Sequence, residues 1–248
     1  MPGIDLNCDL GEGAGHDREL MPLVTSANIA CGAHAGDAET MRATVALAKA
    51  HGVAVGAHPG YDDRENFGRR ELPLDAGQVF ALVAGQISAL RRVAAEAGVK
   101  LSHVKPHGAL YNVSARDFST AVAIAEAVRL ADSNLVLFGL AGGELLRAGR
   151  AAGLTVASEV FADRAYRADG SLVLRSEAGA MLSGEDAMIA QVLGLVTRGR
   201  VKTADGIEIA VQADTLCLHG DGPQAVSFAK RIRHALAAAA VPLRAFSI

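Results

Sequence analysis

Three residues of the stretch HVKPHGALYN, 103 to 112, carry groups that do chemistry. The imidazoles of His103 and His107 exchange protons near neutral pH, and the ammonium of Lys105 stabilises negative charge. In an extended segment side chains alternate with a period of two, so these three share one face and Val104 takes the other. Pro106 cannot donate to a ladder and ends the strand, and Gly108 permits a tight exit into a helix. The trio therefore stands at the carboxyl end of a strand. Lys105 is one of only five lysines in a chain that draws most of its positive charge from arginine. Alone, the same residues also describe a solvated lysine beside two surface histidines, so their meaning depends on what other elements bring to them.

The first such element is DLNCDLGEG, 5 to 13, which alternates Asp5, Asn7 and Asp9 with Leu6, Cys8 and Leu10. SANIACGAHAGD, 26 to 37, reads as a short strand with a Gly-rich turn. Asp37 can cap a helix over 38 to 51, where Met41, Val45 and Ala48 recur at helical spacing. VAVGAHP is apolar until His58, and a polar loop follows it through Arg69 and Arg70. From about Asp75 to Ala97 an i, i+3, i+4 pattern predicts a long helix stopped by Gly98. After the lysine strand come a helix near 116 to 131, the apolar strand NLVLFGL, a short helix from Gly143 to Ala152, and the strand LTVASEVF, which turns polar at Glu159. Asp169-Gly170 and Asp205-Gly206 signal hairpin excursions at 161 to 175 and 201 to 211. TLCLHGD, 215 to 221, places Cys217, His219 and Asp221 on one face, and an Ala-rich helix near 223 to 240 follows.

Seven strands alternating with helices predict an α/β fold whose parallel sheet closes into a seven-stranded barrel. Closure explains the two-faced first strand, since Asp5, Asn7 and Asp9 can line the lumen while Leu6 and Cys8 face helices. Barrel active sites lie at the carboxyl ends of the strands, so Asp9, His34, His58, Lys105, His107, Glu159, His219 and Asp221 converge on one mouth. An open doubly wound sheet would gather its ligand groups at a switch point instead.

Composition limits the alternatives. No linker or compositional shift interrupts residues 1–248, which predicts a single barrel domain. A formal charge of -3, with no basic run or stacking platform, argues against nucleic acid as a partner. The first residues lack a signal-peptide pattern, and no apolar run reaches the ~18 residues of a membrane span. A soluble, cytoplasmic protein without a membrane partner is expected. Three widely spaced cysteines predict reduced thiols in or near the core, and His16, His51 and His234 read as surface residues.

DLNCDLGEG, TSANIACGAHAGD, GAHPGY with FGRR, HVKPHGALYN, EVFADRAY with DGSLVLR, and LCLHGD together resemble the LamB/YcsF family, over almost the full length. The sequence departs from the family pattern in a short segment between Gly13 and Thr25 and in Ala33, where a Phe is usual. The resemblance implies a distorted, deacetylase-like (β/α) barrel. It also implies hydrolysis of 5-oxo-L-proline to L-glutamate coupled to ATP, as the A subunit of a 5-oxoprolinase working with separate B and C subunits.

Opening a lactam requires an activated water, a stabiliser for the oxyanion and an acid for the leaving nitrogen. The expected catalytic residues are Lys105 at the oxyanionic or phosphorylated oxygen, His107 in proton transfer, and Asp9 or Glu159 as general base. Asn7, Arg69, Arg70, His219 and Asp221 are expected to bind substrate, with the arginines holding a carboxylate or phosphate. ATP enters as co-substrate, although the chain lacks a P-loop. A divalent metal would be magnesium with the nucleotide, or a transition ion on Asp9, His34 and His58, the Asp-His-His set of the deacetylase barrels. Two alternatives remain: a stand-alone, metal-dependent amide hydrolase of the deacetylase type, and a non-catalytic lactam-binding subunit. The hairpins serve equally well as lids or as docking sites.

Overall fold

The computed structural model describes residues 3–220, 222 and 224–246. Seven strands form a closed parallel barrel: β1 (Asp5–Leu10), β2 (Ser26–Ala30), β3 (Ala54–His58), β4 (Leu101–Val104), β5 (Val136–Leu140), β6 (Val156–Phe161) and β9 (Thr215–Leu218), with β9 pairing both β6 and β1. The helices are α1 (Asp17–Leu20), α2 (Ala38–His51), α3 (Ala76–Glu96), α4 (Gly108–Arg116), α5 (Phe118–Ala131), α6 (Glu144–Ala151), α7 (Glu185–Arg198) and α8 (Ala225–Ala238). A separate antiparallel pair, β7 (Arg200–Lys202) with β8 (Glu208–Ala210), makes the Asp205-Gly206 hairpin. Among the described residues no helix is long and apolar enough to cross a membrane.

The helices begin and end where side-chain chemistry dictates. Asp37 caps α2 by accepting from the Thr40 amide at 2.8 Å, and Asp75 with Gln78 forms a reciprocal capping box on α3. Val79, Val83, Ile87 and Leu90 along one stripe of α3 are at most 1% exposed, each worth roughly 1.5–3 kcal/mol on burial. They belong to a large apolar cluster that runs from Ile4 to Val241.

The strands turn a different chemistry inward. Asp5 and Asn7 are 1% and 0% exposed, yet neither lies in that apolar cluster. Asp5 accepts from the hydroxyls of Thr25 at 2.6 Å and Ser26 at 2.7 Å, with Thr215 as a third donor. Burial nonetheless raises its pKa above the ordinary value against these three hydrogen bonds. The lumen of this barrel thus carries a hydrogen-bonded polar column beside a small apolar cluster of Val136, Phe138 and Ala157, with Phe138 stacked on His103 at 4.3 Å.

The structure adds to the elements expected from the sequence. The helix foreseen near 116–131 is α5, capped by Asp117 through the Thr120 amide, and the separate α4 precedes it. α7 occupies a stretch in which the sequence suggested no element. The excursion after β6 makes only isolated bridges, Arg164 to Met181 and Tyr166 to Leu172, around its Asp169-Gly170 turn.

Candidate active site

Lys105 is the centre of the site, and its backbone explains its aim. Beyond β4 the chain keeps pairing with β3 and the residues after it, through Lys105 N to Ala57 O at 2.9 Å and His107 N to Pro59 O at 2.8 Å. The period of two therefore continues, and His103, Lys105 and His107 all turn inward at successive heights. His103 is lowest and 2% exposed. It hydrogen-bonds Asn28 Oδ1 at 2.8 Å, and burial followed by the nearby Lys105 pushes its pKa down to about 3.

Above it, Lys105 Nζ lies 2.9 Å from Asp9 Oδ1, 2.9 Å from Glu159 Oε1, 3.1 Å from Asn7 Oδ1 and 3.0 Å from Cys217 Sγ. Burial by itself would favour a neutral amine. Asp9, Cys217 and Glu159 override it and hold the ammonium well above its ordinary range. For Asp9, burial opposes ionisation, but His58 and Lys105 outweigh it and keep the carboxylate well below the usual value. Asn28 Nδ2 also donates to Asp9 Oδ1 at 2.8 Å.

A second group sits beside it. Glu12 follows β1 in a loop whose flanking Gly11 and Gly13 take φ of 71° and 83°, conformations that other residues adopt at a cost. Its Oε1 lies 3.3 Å from His34 Nε2, 3.6 Å from His58 Nε2 and 3.2 Å from His107 Nδ1. His107 Nδ1 is 3.0 Å from His58 Nε2, and the rings of His34 and His107 stack at 3.8 Å. Burial opposes the charge on Glu12, yet its contacts with His107 and His34 hold the carboxyl far below the usual range. Burial pushes His34 down to about 4.

On the far side of the mouth, His219 Nδ1 lies 2.9 Å from Asp163 Oδ2, and among the described residues no hydrogen bond engages its Nε2. Burial opposes ionisation of Asp163, and His219 outweighs it to depress the carboxyl below its ordinary value. Between these groups opens a cavity of about 510 Å³, lined among others by Asp9, Glu12, His58, Lys105, His107 and His219, and rimmed by Arg69, Arg164 and Arg175.

Five of the residues expected at the mouth meet there: Asp9, His58, Lys105, His107 and His219. Arg69 joins them, with its guanidinium 4.9 Å from the Phe67 ring centre. Others lie elsewhere. Glu159 sits within β6 rather than at its end, level with Thr215 and fully buried beneath Lys105, and Asn7 is sealed into the lumen, where it donates to Glu159 and Thr215. Arg70 turns from the cavity to an ion pair with Asp63 at 3.5 Å. Asp221 lies outside the described residues. The expected metal set is regrouped: Glu12, His34, His58 and His107 bring ligand atoms within 4.8 Å of one another, while Asp9 groups with Cys217 and His219. Glu12, Asp163, Arg164 and Arg175 were not singled out from the sequence; a carboxylate between two glycines just past a strand was the available signal for Glu12.

The LamB/YcsF family model matches residues 4–248. The chain is 53% identical to a protein from Tolumonas auensis named as the A subunit of 5-oxoprolinase, covering 99% of this chain and 100% of that one. A solved structure titled lactam utilization protein, from Thermus thermophilus, superposes with a TM-score of 0.93 at 48% identity over 99% of this chain and all of that one. The catalytic domain of a peptidoglycan N-acetylglucosamine deacetylase from Eubacterium rectale has the same fold, with a TM-score of 0.52 at 12% identity over 98% of this chain and 88% of that one. With homology running along nearly every residue, the chain belongs to the LamB/YcsF family.

Proposed function

We propose that this chain is the A subunit of a 5-oxoprolinase, opening the lactam of 5-oxo-L-proline to L-glutamate with ATP as co-substrate and separate B and C subunits as partners. The observation that carries the reading is one cavity in which a buried ammonium, an Asp-His pair and a rim of guanidinium groups face a common space. Three buried free cysteines fit a reducing, cytoplasmic setting.

The substrate carries a carboxylate, and activation by ATP adds a phosphoryl group. Arg175 with Arg69 and Arg164 would hold these anions at the rim. ATP passes its γ-phosphoryl group to the ring carbonyl oxygen and leaves as ADP; water adds to the ring carbonyl carbon, the carbon-nitrogen bond breaks as the nitrogen takes up a proton, and a second water releases the phosphoryl group as phosphate. Lys105 would face the oxygen that gains charge, and Asp9 the water. Both ring nitrogens of His107 are engaged, Nε2 by the Phe67 carbonyl at 2.9 Å and Nδ1 by the His58–Glu12 group. The mobile proton is therefore assigned to His219: a carboxylate at Nδ1 fixes the tautomer with Nε2 as acceptor, the state a general base needs before it returns the proton as acid. Glu159 and Asn7 position Lys105.

ATP brings magnesium with it. The Glu12–His34–His58–His107 group could hold a further ion, whose chemistry there would be to polarise an oxygen atom.

The test is glutamate release from 5-oxoproline by the purified chain, with and without ATP and with and without the B and C subunits. Turnover that needs all of them supports the reading. Turnover without ATP that a chelator stops would replace it with a stand-alone metal-dependent amide hydrolase.

A further inference from the structure

The orientation of two histidines inside the Glu12 cluster is fixed from outside it. His58 Nδ1 lies 2.8 Å from the Lys105 carbonyl, and His107 Nε2 lies 2.9 Å from the Phe67 carbonyl. A carbonyl only accepts, so each of these nitrogens bears the hydrogen, and in the neutral ring the other nitrogen is a lone-pair donor. Those two lone pairs point at each other across 3.0 Å. Without a cation between them they repel.

Glu12 Oε1 completes a triangle with them at 3.2 and 3.6 Å. A proton bridges two atoms, whereas three donors 3.0–3.6 Å apart match the edges, about 3.3 Å, of a tetrahedron around an ion with bonds of ~2.0–2.1 Å. Charge points the same way. The carboxylates of Asp9, Glu12 and Glu159 share this buried region with Lys105, their side chains 10%, 6%, 0% and 3% exposed, and Asp9 Oδ2 lies 3.4 Å from His58 Nε2, so the surroundings attract a cation.

His34 is excluded from the ligand set by geometry. Its ring is parallel to that of His107, 3° between planes and 3.8 Å between centres, so one ion cannot lie in both ring planes, where the lone pairs are. Its Nε2 instead approaches Glu12 Oε1 at 3.3 Å and orients that carboxylate.

We propose that Glu12, His58 and His107 form a three-ligand site for a divalent transition ion of the zinc, cobalt or manganese class, open on the cavity side. Two imidazoles with one carboxylate suit these ions better than magnesium or calcium, which take oxygen. All three ligands line the cavity, so the open position faces the space where substrate would sit. The site is independent of the lactam reading.

The test is metal content after equilibrium dialysis of the metal-stripped full chain against Zn²⁺, with the visible spectrum of the Co²⁺ form as second readout. One equivalent is expected, with an intense spectrum of low coordination number. Glu12→Gln and His107→Gln should weaken binding more than 100-fold. His34→Gln should weaken it by only ~10- to 100-fold, the usual effect of losing an orienting partner. Circular dichroism checks that each variant folds, and Glu12→Gln, on a loop, keeps the test informative if a histidine variant does not. Less than a tenth of an equivalent on the folded wild-type chain, or unchanged binding in folded Glu12→Gln, would overturn the site whether or not the chain turns over 5-oxoproline.

Discussion

Lys105 Nζ and Glu159 Oε1 lie 2.9 Å apart, with the two side chains 3% and 0% exposed. A buried pair of this kind costs more to break than it contributes when intact, because removing one partner leaves an uncompensated charge in a poorly solvating interior. From the sequence alone, Lys105→Met is expected to abolish turnover and leave the fold intact. The structure changes the second half of that expectation: Met would strand Asp9 and Glu159 together, at a cost of ~3–5 kcal/mol. Lys105→Met combined with Glu159→Gln removes one of the stranded charges and should recover roughly 1–3 kcal/mol of that loss, with no recovery of activity. Urea unfolding of the two variants checks this, and a single variant as stable as wild type would contradict the central place given to the pair.

The Asp163–His219 pair predicts a pH signature. Asp163 is depressed in the folded state, so its stabilising contribution is fully present above about pH 4, its ordinary range, and is lost as pH falls through the depressed value. Asp163→Asn should therefore be less stable than wild type at about pH 6, and the gap should close as the pH falls through the depressed value. Because the carboxylate also sets the tautomer of His219, the same variant should lose on the order of 10²-fold in kcat. Equal kcat in the variant would remove His219 from the proton-transfer role.

Much of this arrangement was legible in the sequence, and the limits have physical causes. Alternation in DLNCDLGEG placed Asp5, Asn7 and Asp9 inside because a strand's period of two is rigid, and the cap at Asp37 was readable because capping is local. Depth was not readable. Glu159 looked like a strand-end residue until its pairing with Thr215 set it below Lys105, and register between strands is a long-range property. Glu12 and Arg175 reach the mouth from irregular segments, where no periodicity assigns a direction to a side chain. The true neighbours of His34 and His58 depended on a loop closing over them, so the expected metal set named two histidines of the Glu12 cluster together with the carboxylate of the neighbouring group.

Arg175 separates binding from chemistry. It lies on the cavity rim, while its neighbour Arg164 is 4% exposed and donates to the Val173 carbonyl at 2.7 Å, a bond that ties down the excursion. Arg175→Ala should raise KM for 5-oxoproline by roughly 10- to 100-fold, the worth of one charge-assisted hydrogen bond, and leave kcat within a few-fold. Steady-state kinetics with the complete enzyme measures both. A fall in kcat at constant KM would mean that this guanidinium acts on the transition state and not on the substrate's carboxylate.

Gly56 tests whether the polar column in the lumen supports the site. It pairs in register with His103, and a Cβ added to it would lie 2.1 Å from His103 Nε2, far inside contact distance. His103 has little room to yield, since Phe138 stacks on it and Asn28 holds its Nε2. Gly56→Ala should destabilise the chain by ~1–3 kcal/mol or more through overpacking. It should also lower activity, because Asn28 links His103 to Asp9 through hydrogen bonds of 2.8 Å on either side. Pairing it with His103→Ala removes the clash, so the double variant should be more stable than the two single losses add up to, which a thermal-unfolding cycle would reveal. Strict additivity would mean that the imidazole finds another place in the barrel and that the column is softer than its hydrogen bonds suggest.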